Sequence, residues 1–274
     1  VLRSYSIQVI YLVAPCDAPS EGAGPMLSLL RGRYRARHAA TDADIAAAQA
    51  LRWRAFRARS GEVAEARDAD AFDALCRHVL VEETATGRLV CCFRLLPLSR
   101  GSEIGSSYSA QYYELSALAD FPGRMVEMGR FCIEPGVTDP DILRVAWGAM
   151  TKFVDDEGVE MLFGCSSFIG TDPESYLDAF AMLKDRHIAP KRWLPRVKAP
   201  RVFRFAQKLR LRKPDPKRAT LMMPPLLRTY LMMGGWVSDH AVVDQDLGTL
   251  HVFTGLEIGK VPPGRARLLR AVAG

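Results

Sequence analysis

The chain of 274 residues predicts an α/β fold, a mixed central sheet with helices on both faces. Three observations predict it. Residues 79–83 and 89–96 are strand-like stretches divided by Thr84-Ala85-Thr86-Gly87, the signal of a strand hairpin. Residues 139–157 place Ile142, Leu143, Val145, Ala146, Met150 and Phe153 in a helical pattern that stops at Gly158. Strand-like runs at 125–133, 161–167 and 249–258 alternate with helical stretches.

Taken in order, residues 1–25 lack periodicity and hold Ala14-Pro15, Ala18-Pro19-Ser20 and Gly22-Ala23-Gly24-Pro25. They are expected to be a disordered or mis-started extension, with 26–274 as one domain. Thr41-Asp42-Ala43-Asp44 opens a capped helix that runs through Ile45, Ala48, Leu51, Trp53 and Phe56. Asp70 and Asp73, three apart on a short acidic helix or loop, can face one way. The hairpin comes next, then a polar loop over 99–113. In the strand at 125–133, alternation puts Glu127, Gly129 and Phe131 on one face and Met128, Arg130 and Cys132 on the other. Glu127 and Arg130 therefore share a face only across a bulge, which Gly129 permits. Residues 161–167 read as a buried strand and 173–184 as a helix with Pro173 near its start. Residues 224–233 read as a short helix closed by Gly234-Gly235, and 249–258 as the last strand. Residues 185–235 read as an insertion or docking elaboration.

Hydrophobic residues make up 49% of the chain, enough for a substantial core. No apolar stretch approaches the roughly 20 residues of a membrane span. The six cysteines form no Cys-x-x-Cys pair, and the five histidines join them in no metal spacing, so no metal site is expected. The cysteines suit a reducing cytosol as small buried hydrophobes, the alternative being a nucleophile at Cys132 or Cys165. No Gly-rich nucleotide loop follows a strand. Charge is concentrated. Residues 184–218 carry a net of +12, against −6 for the remainder. Such a block, interleaved with Trp193, Phe203 and Phe205, is a docking face for nucleic acid, anionic lipid headgroups or an acidic carrier protein.

Several charges stand in apolar surroundings. Arg94 sits within Leu89-Val90-Cys91-Cys92-Phe93-Arg94-Leu95-Leu96. A buried charge needs a partner, because its desolvation costs several kcal/mol, on the order of the pairing energy itself. Arg54, Arg94 and Arg130 on one side, and Asp70, Asp73 and Glu127 on the other, are therefore expected to meet. Spacing alone leaves two readings open, a functional cleft and a structural ion-pair network.

These blocks resemble the acyl-homoserine-lactone synthases, a branch of the GCN5-related N-acyltransferase (GNAT) fold. In that family an Arg-x-x-x-Phe helix, an Asp-x-x-Asp block, an Arg-Leu-Leu-Pro strand and a Glu-x-x-Arg-Phe strand surround the cleft. The matching positions are Arg52 or Arg54 with Phe56, Asp70 and Asp73, Arg94, and Glu127 with Arg130. From about residue 36 onward the chain is more similar still to the L-ornithine Nα-acyltransferases of ornithine lipid synthesis. That likeness rests on Phe72 to Val81, Glu127 to Arg130, Leu162 to Ser167, Pro224 to Leu231 and Gly234-Gly235. Val126 and Gly129 stand where the lactone synthases usually have Trp and Ser. After the central strand comes Glu134-Pro135-Gly136-Val137-Thr138-Asp139-Pro140, without the pyrophosphate turn of coenzyme A users.

The resemblance implies an amide-forming acyltransferase of GNAT-like fold with no bound cofactor. The acyl donor it implies is acyl carrier protein with its phosphopantetheine arm, and the acceptor is the α-amine of L-ornithine. Glu127 becomes the candidate general base, acting directly or through water, with Arg130 and Arg94 as catalytic partners. Backbone N–H groups on the splayed strands of Glu127 and Ser166 become oxyanion donors. Arg54, Phe56, Asp70, Asp73 and Ser166 become substrate-binding candidates, an arginine fork for the carboxylate and Asp70 or Asp73 for the distal ammonium. Lys191, Arg192, Arg196, Lys198, Arg201 and Arg204 become the carrier-docking face. The implied location is cytoplasmic, peripheral at an anionic inner membrane, with no nucleic acid and a separate O-acyltransferase to complete the lipid. The alternatives are another amino acid such as glutamine, a lactone synthase consuming S-adenosylmethionine, and a non-enzymatic basic protein bound to membrane or nucleic acid.

Overall fold

In the computed structural model, which describes residues 27–58 and 66–273, the first elements precede the predicted helix. The expected extension at 1–25 lies outside the described residues. β1 (Ser28–Arg31) and β2 (Tyr34–His38) form an antiparallel hairpin at one edge of the sheet. β1 is only four residues long and in β2 arginines alternate with Tyr34, Ala36 and His38, so their strand character is masked. Helix α1 (Asp42–Phe56) follows, with Thr41 as N-cap and Asp44 closing the capping box.

β3 (Arg77–Glu83) and β4 (Leu89–Leu98) are the predicted hairpin, and β3 also pairs with β2. The polar stretch after β4 folds into short 3-10 turns and a two-residue strand, β5 (Tyr113–Glu114). β6 (Arg124–Ile133) pairs antiparallel with β4, α2 (Pro140–Asp156) crosses back, and β7 (Val159–Ile169) lies parallel to β6. That βαβ crossover contains the single parallel pairing of the main sheet among the described residues.

Helix α3 (Leu177–Arg186) begins after a 3-10 turn at Pro173–Tyr176. The basic region then holds β8 (Arg196–Val197), β9 (Val202–Phe203), and the helices α4 (Phe205–Lys208), α5 (Pro216–Met222) and α6 (Pro225–Met232). β10 (Trp236–Val237), β11 (Ala241–Asp244), β12 (Thr249–Glu257) and α7 (Pro263–Ala273) complete the chain. Among the described residues the main sheet has ten strands, in the order β1-β2-β3-β4-β6-β7-β12-β11-β9, with β10 paired to β12.

The region expected to be an insertion is built into the body. β9 is the far edge strand, β8 pairs with β5, and Phe203, Phe205, Leu209, Met223 and Leu227 are buried in one cluster with Phe168, Phe180 and Val252. Its charges hid the pattern because the chain there alternates single buried residues with exposed cations. Opposite faces of the sheet are covered by α2, over Val79, Phe93 and Leu162, and by α1, over Leu80, Cys92 and Cys132.

Two local features shape the centre of the sheet. The β4–β6 register slips between Cys92, opposite Cys132, and Arg94, opposite Gly129, so two β6 residues face one on β4. This is the anticipated bulge, but Arg130 and not Gly129 takes the left-handed backbone, at φ 54°. Gly164 of β7 passes so close to β6 that a Cβ there would run into the carbonyl oxygen of Met128. Gly164→Ala is expected to force these strands apart and lower stability by about 1–3 kcal/mol, read from a denaturant midpoint. An unchanged midpoint would show that the strands give way freely.

Candidate active site

β6 and β7 run side by side only as far as Glu127, which stands opposite Phe163. Beyond that point they part. β6 stays on β4, and β7 stays on β12 as far as Ile169. The facing edges of 128–131 and 164–167 then lack a strand partner and line a cavity of ≈ 440 Å³. Backbone N–H and C=O groups on such an edge need partners, which a bound molecule can supply.

Glu127 lies at the apex of this opening and is 4% exposed. Its Oε2 accepts the backbone N–H of Tyr108 at 2.8 Å. Its Oε1 accepts the backbone N–H of Ser109 at 2.7 Å and the Ser109 hydroxyl at 2.5 Å. Oε1 is thereby filled, and Oε2 keeps one lone pair for a further donor. Burial raises the Glu127 pKa above its ordinary value, against the opposing pull of the Ser109 and Tyr108 donors and of Arg94.

Beside it sits a buried network of arginines and aspartates. Arg94 stands opposite Gly129, so its side chain shares the Glu127 face. Its Nη1 lies 2.6 Å from both Asp70 and Asp73, and its Nη2 2.8 Å from Asp70. The bulge turns Arg130 toward the same group, with Nε 3.0 Å from Asp68, Nη2 3.1 Å from Asp70, and the guanidinium over the Tyr108 ring. Asp70 caps the 3-10 turn Ala71–Ala74, and Asp73 closes that capping box, which fixes both carboxylates.

Not every expected member is present. Arg54 is exposed and pairs with Glu134 at 2.6 Å. The inward stripe of α1 is Ala48, Leu51 and Arg52, and Arg54 lies about 200° around the helix from Arg52. Arg52 takes its place, 1% exposed, bonded to Asp68 at 2.9 Å and Asp73 at 2.6 Å. Asp73 is fully engaged by Arg52, Arg94 and Gln49, and neither Asp70 nor Asp73 lines the cavity. The charges therefore divide: Arg94, Arg130 and Glu127 line the cavity, and the aspartates form an ion-pair network behind it.

Phe56 and Ser166 also line the cavity, and Ser166 accepts a hydrogen bond from the Thr254 hydroxyl at 2.9 Å. Burial pushes the Cys165 thiol there up to about 12, so it stays protonated and is no nucleophile near neutral pH. Cys132 is packed against Cys92, and its pKa is likewise raised, first by the Cys92 hydrogen bond.

Several residues in and around the cavity carry no readable signal in the sequence. Ser109 belongs to a loop of polar residues indistinguishable from its neighbours. Asp244 closes β11. Its Oδ1 accepts the backbone N–H groups of Asp246 and Leu247, while Oδ2 has no hydrogen-bond partner among the described residues. Glu127 and Asp244 are the carboxylates that line the cavity among the described residues. His251 is held neutral by burial, its pKa lowered to about 3, with Nδ1 against the Tyr113 hydroxyl. Of the docking candidates, Lys191, Arg201 and Arg204 are exposed, Arg192 pairs with Glu257 and Arg196 approaches Glu114. Lys198 differs. Its ammonium is spent on the Ala110 carbonyl at 2.6 Å, beside the loop that holds Glu127.

An Acetyltransferase (GNAT) domain family matches residues 51–148, the span from α1 through β6 into α2. With the parted strands and the charged cavity between them, this makes the chain an acyltransferase. The L-ornithine N(alpha)-acyltransferase of Rhizobium meliloti (strain 1021) is 32% identical over 82% of this chain and 80% of that protein. The protein of the same name from Rhodobacter capsulatus is 33% identical over 80% of this chain and 88% of that protein. The chain belongs to the L-ornithine N(alpha)-acyltransferase family. Among solved structures, FeeM, an N-acyl amino acid synthase from uncultured soil microbes, aligns over 83% of this chain and 93% of that chain at 10% identity and a TM-score of 0.47.

Proposed function

We propose that the chain transfers an acyl group from the phosphopantetheine thioester of acyl carrier protein to the α-amine of L-ornithine. The names of its relatives support the acceptor. The observation that carries the reaction is Glu127, a buried carboxylate with one free lone pair at the apex of two parted strands. The thioester enters between the strands, its carbonyl oxygen facing the unpaired backbone edges. The amine passes a proton to Oε2 of Glu127, directly or through water, and attacks the carbonyl carbon. The C–N bond forms, the C–S bond breaks, and the thiolate leaves and takes up a proton. A carboxylate with a raised pKa suits this duty better than an ordinary one.

The acceptor carries two more charges. Arg130 lines the cavity, and its Nη1 is held only by a long contact of 3.4 Å to the Tyr108 hydroxyl, which leaves it the better fork for the α-carboxylate. Arg94 gives its Nη1 and Nη2 to Asp70 and Asp73 and serves to position Asp70 and Arg130. Asp244, with its free Oδ2, suits the distal ammonium. Asp244→Asn is expected to raise the KM for ornithine roughly ten- to hundredfold, the worth of a charge-assisted hydrogen bond, with a much smaller change in kcat. An unchanged KM would remove Asp244 from that role.

The donor docks on the exposed cations Lys191, Arg192, Arg196, Arg201 and Arg204, since carrier proteins are acidic. The second acylation of the product falls to a separate O-acyltransferase. The absence of a helix long and apolar enough to cross a membrane, among the described residues, is compatible with a product handed over at a membrane surface.

A further inference from the structure

The basic region divides into two chemically different halves. Residues 186–204 expose cations but no large apolar side chain. Residues 210–222 expose both. Leu211 is 87% exposed and Leu221 80% exposed, with Met222 also at the surface. Around them Arg210, Lys213 and Lys217 are exposed, with no carboxylate partner among the described residues.

These leucines are held outward by the fold. The Lys184 ammonium binds the carbonyls of Leu209 at 2.9 Å and Arg212 at 3.0 Å, which pins the loop that carries Leu211. Arg212 and Arg218 reach Asp178 of α3 and anchor α5 from beneath. On α5 the buried residue is Ala219, with Met223 buried just past the helix end. Leu221 lies about 200° around from Ala219 and one turn beyond Lys217, so the two share the outward face. Arg218 and Met222 repeat the spacing on its flank. Two residues after Met222, Pro224 lines the catalytic cavity, as do Leu226 and Leu227 of α6.

We infer that the surface formed by 210–222 seats the protein on an anionic lipid bilayer, with Leu211, Leu221 and Met222 in the acyl boundary and Arg210, Lys213 and Lys217 at the headgroups. A purely cationic face satisfies an acidic protein. Exposed leucines gain only where they leave water, and interleaved cations gain most at anionic headgroups. This inference deepens the proposed function by one step. The junction of α5 and α6 is shared by the membrane face and the cavity, so an acylated product has a short apolar path into lipid.

The test is co-sedimentation of the full chain with vesicles of phosphatidylcholine containing phosphatidylglycerol. It needs no turnover, so it stands or falls apart from the acyltransferase reading, which a soluble-substrate assay follows separately. The wild type is expected to pellet with anionic vesicles and to be released from pure phosphatidylcholine. Leu211→Ser with Leu221→Ser is expected to lower the apparent affinity by about tenfold or more. Lys213→Glu with Lys217→Glu is expected to do the same by charge, about tenfold or more. All four positions are exposed, so unchanged circular dichroism and solution turnover certify the fold. Wild type that ignores anionic vesicles would overturn the inference. So would serine variants that bind as wild type does while the glutamate variants lose only carrier-protein affinity, because the face would then be a protein dock.

Discussion

Replacing Glu127 with glutamine lowers kcat by about a hundred- to ten-thousandfold, the usual worth of a positioned general base, and leaves the KM for the amino acid close to wild type. Glutamine keeps the shape, and its one amide oxygen still accepts the N–H and hydroxyl of Ser109, so the loop stays held while the Tyr108 N–H loses its acceptor. The pH profile separates this from structural damage. The proposed base must be ionised, and burial raises the Glu127 pKa, so wild-type kcat is expected to climb with pH through a limb above the ordinary carboxylate range. That limb disappears in Glu127→Gln. A variant with the same limb and a uniformly lower rate would assign the titration to another group. For stability the sign is opposite. A carboxylate with a raised folded pKa favours the fold below its unfolded pKa, and this contribution is lost as pH rises through the folded value.

Arg52→Ala is expected to be the most destabilising of the conservative-looking changes, by about 3–5 kcal/mol, which for a chain of this size lowers Tm by roughly 10 °C. The guanidinium is 1% exposed and bonds Asp68 and Asp73, themselves buried. Its removal leaves two carboxylates short of a partner in a water-poor site. The pH dependence carries a signature. Burial pushes Asp73 up, but hydrogen bonds from Arg52, Gln49 and Arg94 prevail and hold it at about 2. Its contribution is therefore present above the ordinary carboxylate pKa and lost as pH falls toward about 2. In Arg52→Ala the loss should begin at higher pH. Thermal melts between pH 3 and pH 7, chosen to span about the carboxylate range, measure both effects. A Tm within about 2 °C of wild type would mean that Arg57, which also reaches Asp68 at 3.2 Å, compensates fully together with Arg94 and Arg130.

The contrast between Arg52 and Arg54 shows how far a sequence can be read. Arg52 stands four residues before Phe56 and Arg54 two before it, and the register of α1 against the sheet decides which is buried. That register is set by Ala48 and Leu51, small and apolar positions with no chemical label. Arg94 is legible because apolar or sulfur-bearing neighbours surround it on both sides in a strand. The bulge that unites Glu127 and Arg130 is legible as a requirement, but its strained residue is not, since glycine is the usual occupant of that backbone and Arg130 holds it through its aspartates instead. Asp244 and Ser109 are silent because their roles depend on strands and loops far apart in the chain meeting at one opening. The first hairpin and the last helix escape a sequence reading for a simpler reason: alternating arginines obscure the one, and no residue of the other is buried.

The central claim is tested most directly by mass spectrometry of the products formed when the purified chain receives acyl–acyl carrier protein and a mixture of amino acids with S-adenosylmethionine. The expected result is a single product class, an amide on the α-amine of ornithine, formed at least about a hundredfold more slowly with Glu127→Gln. An acyl-homoserine lactone, an amide on a different amino acid, or no amide at all would contradict it.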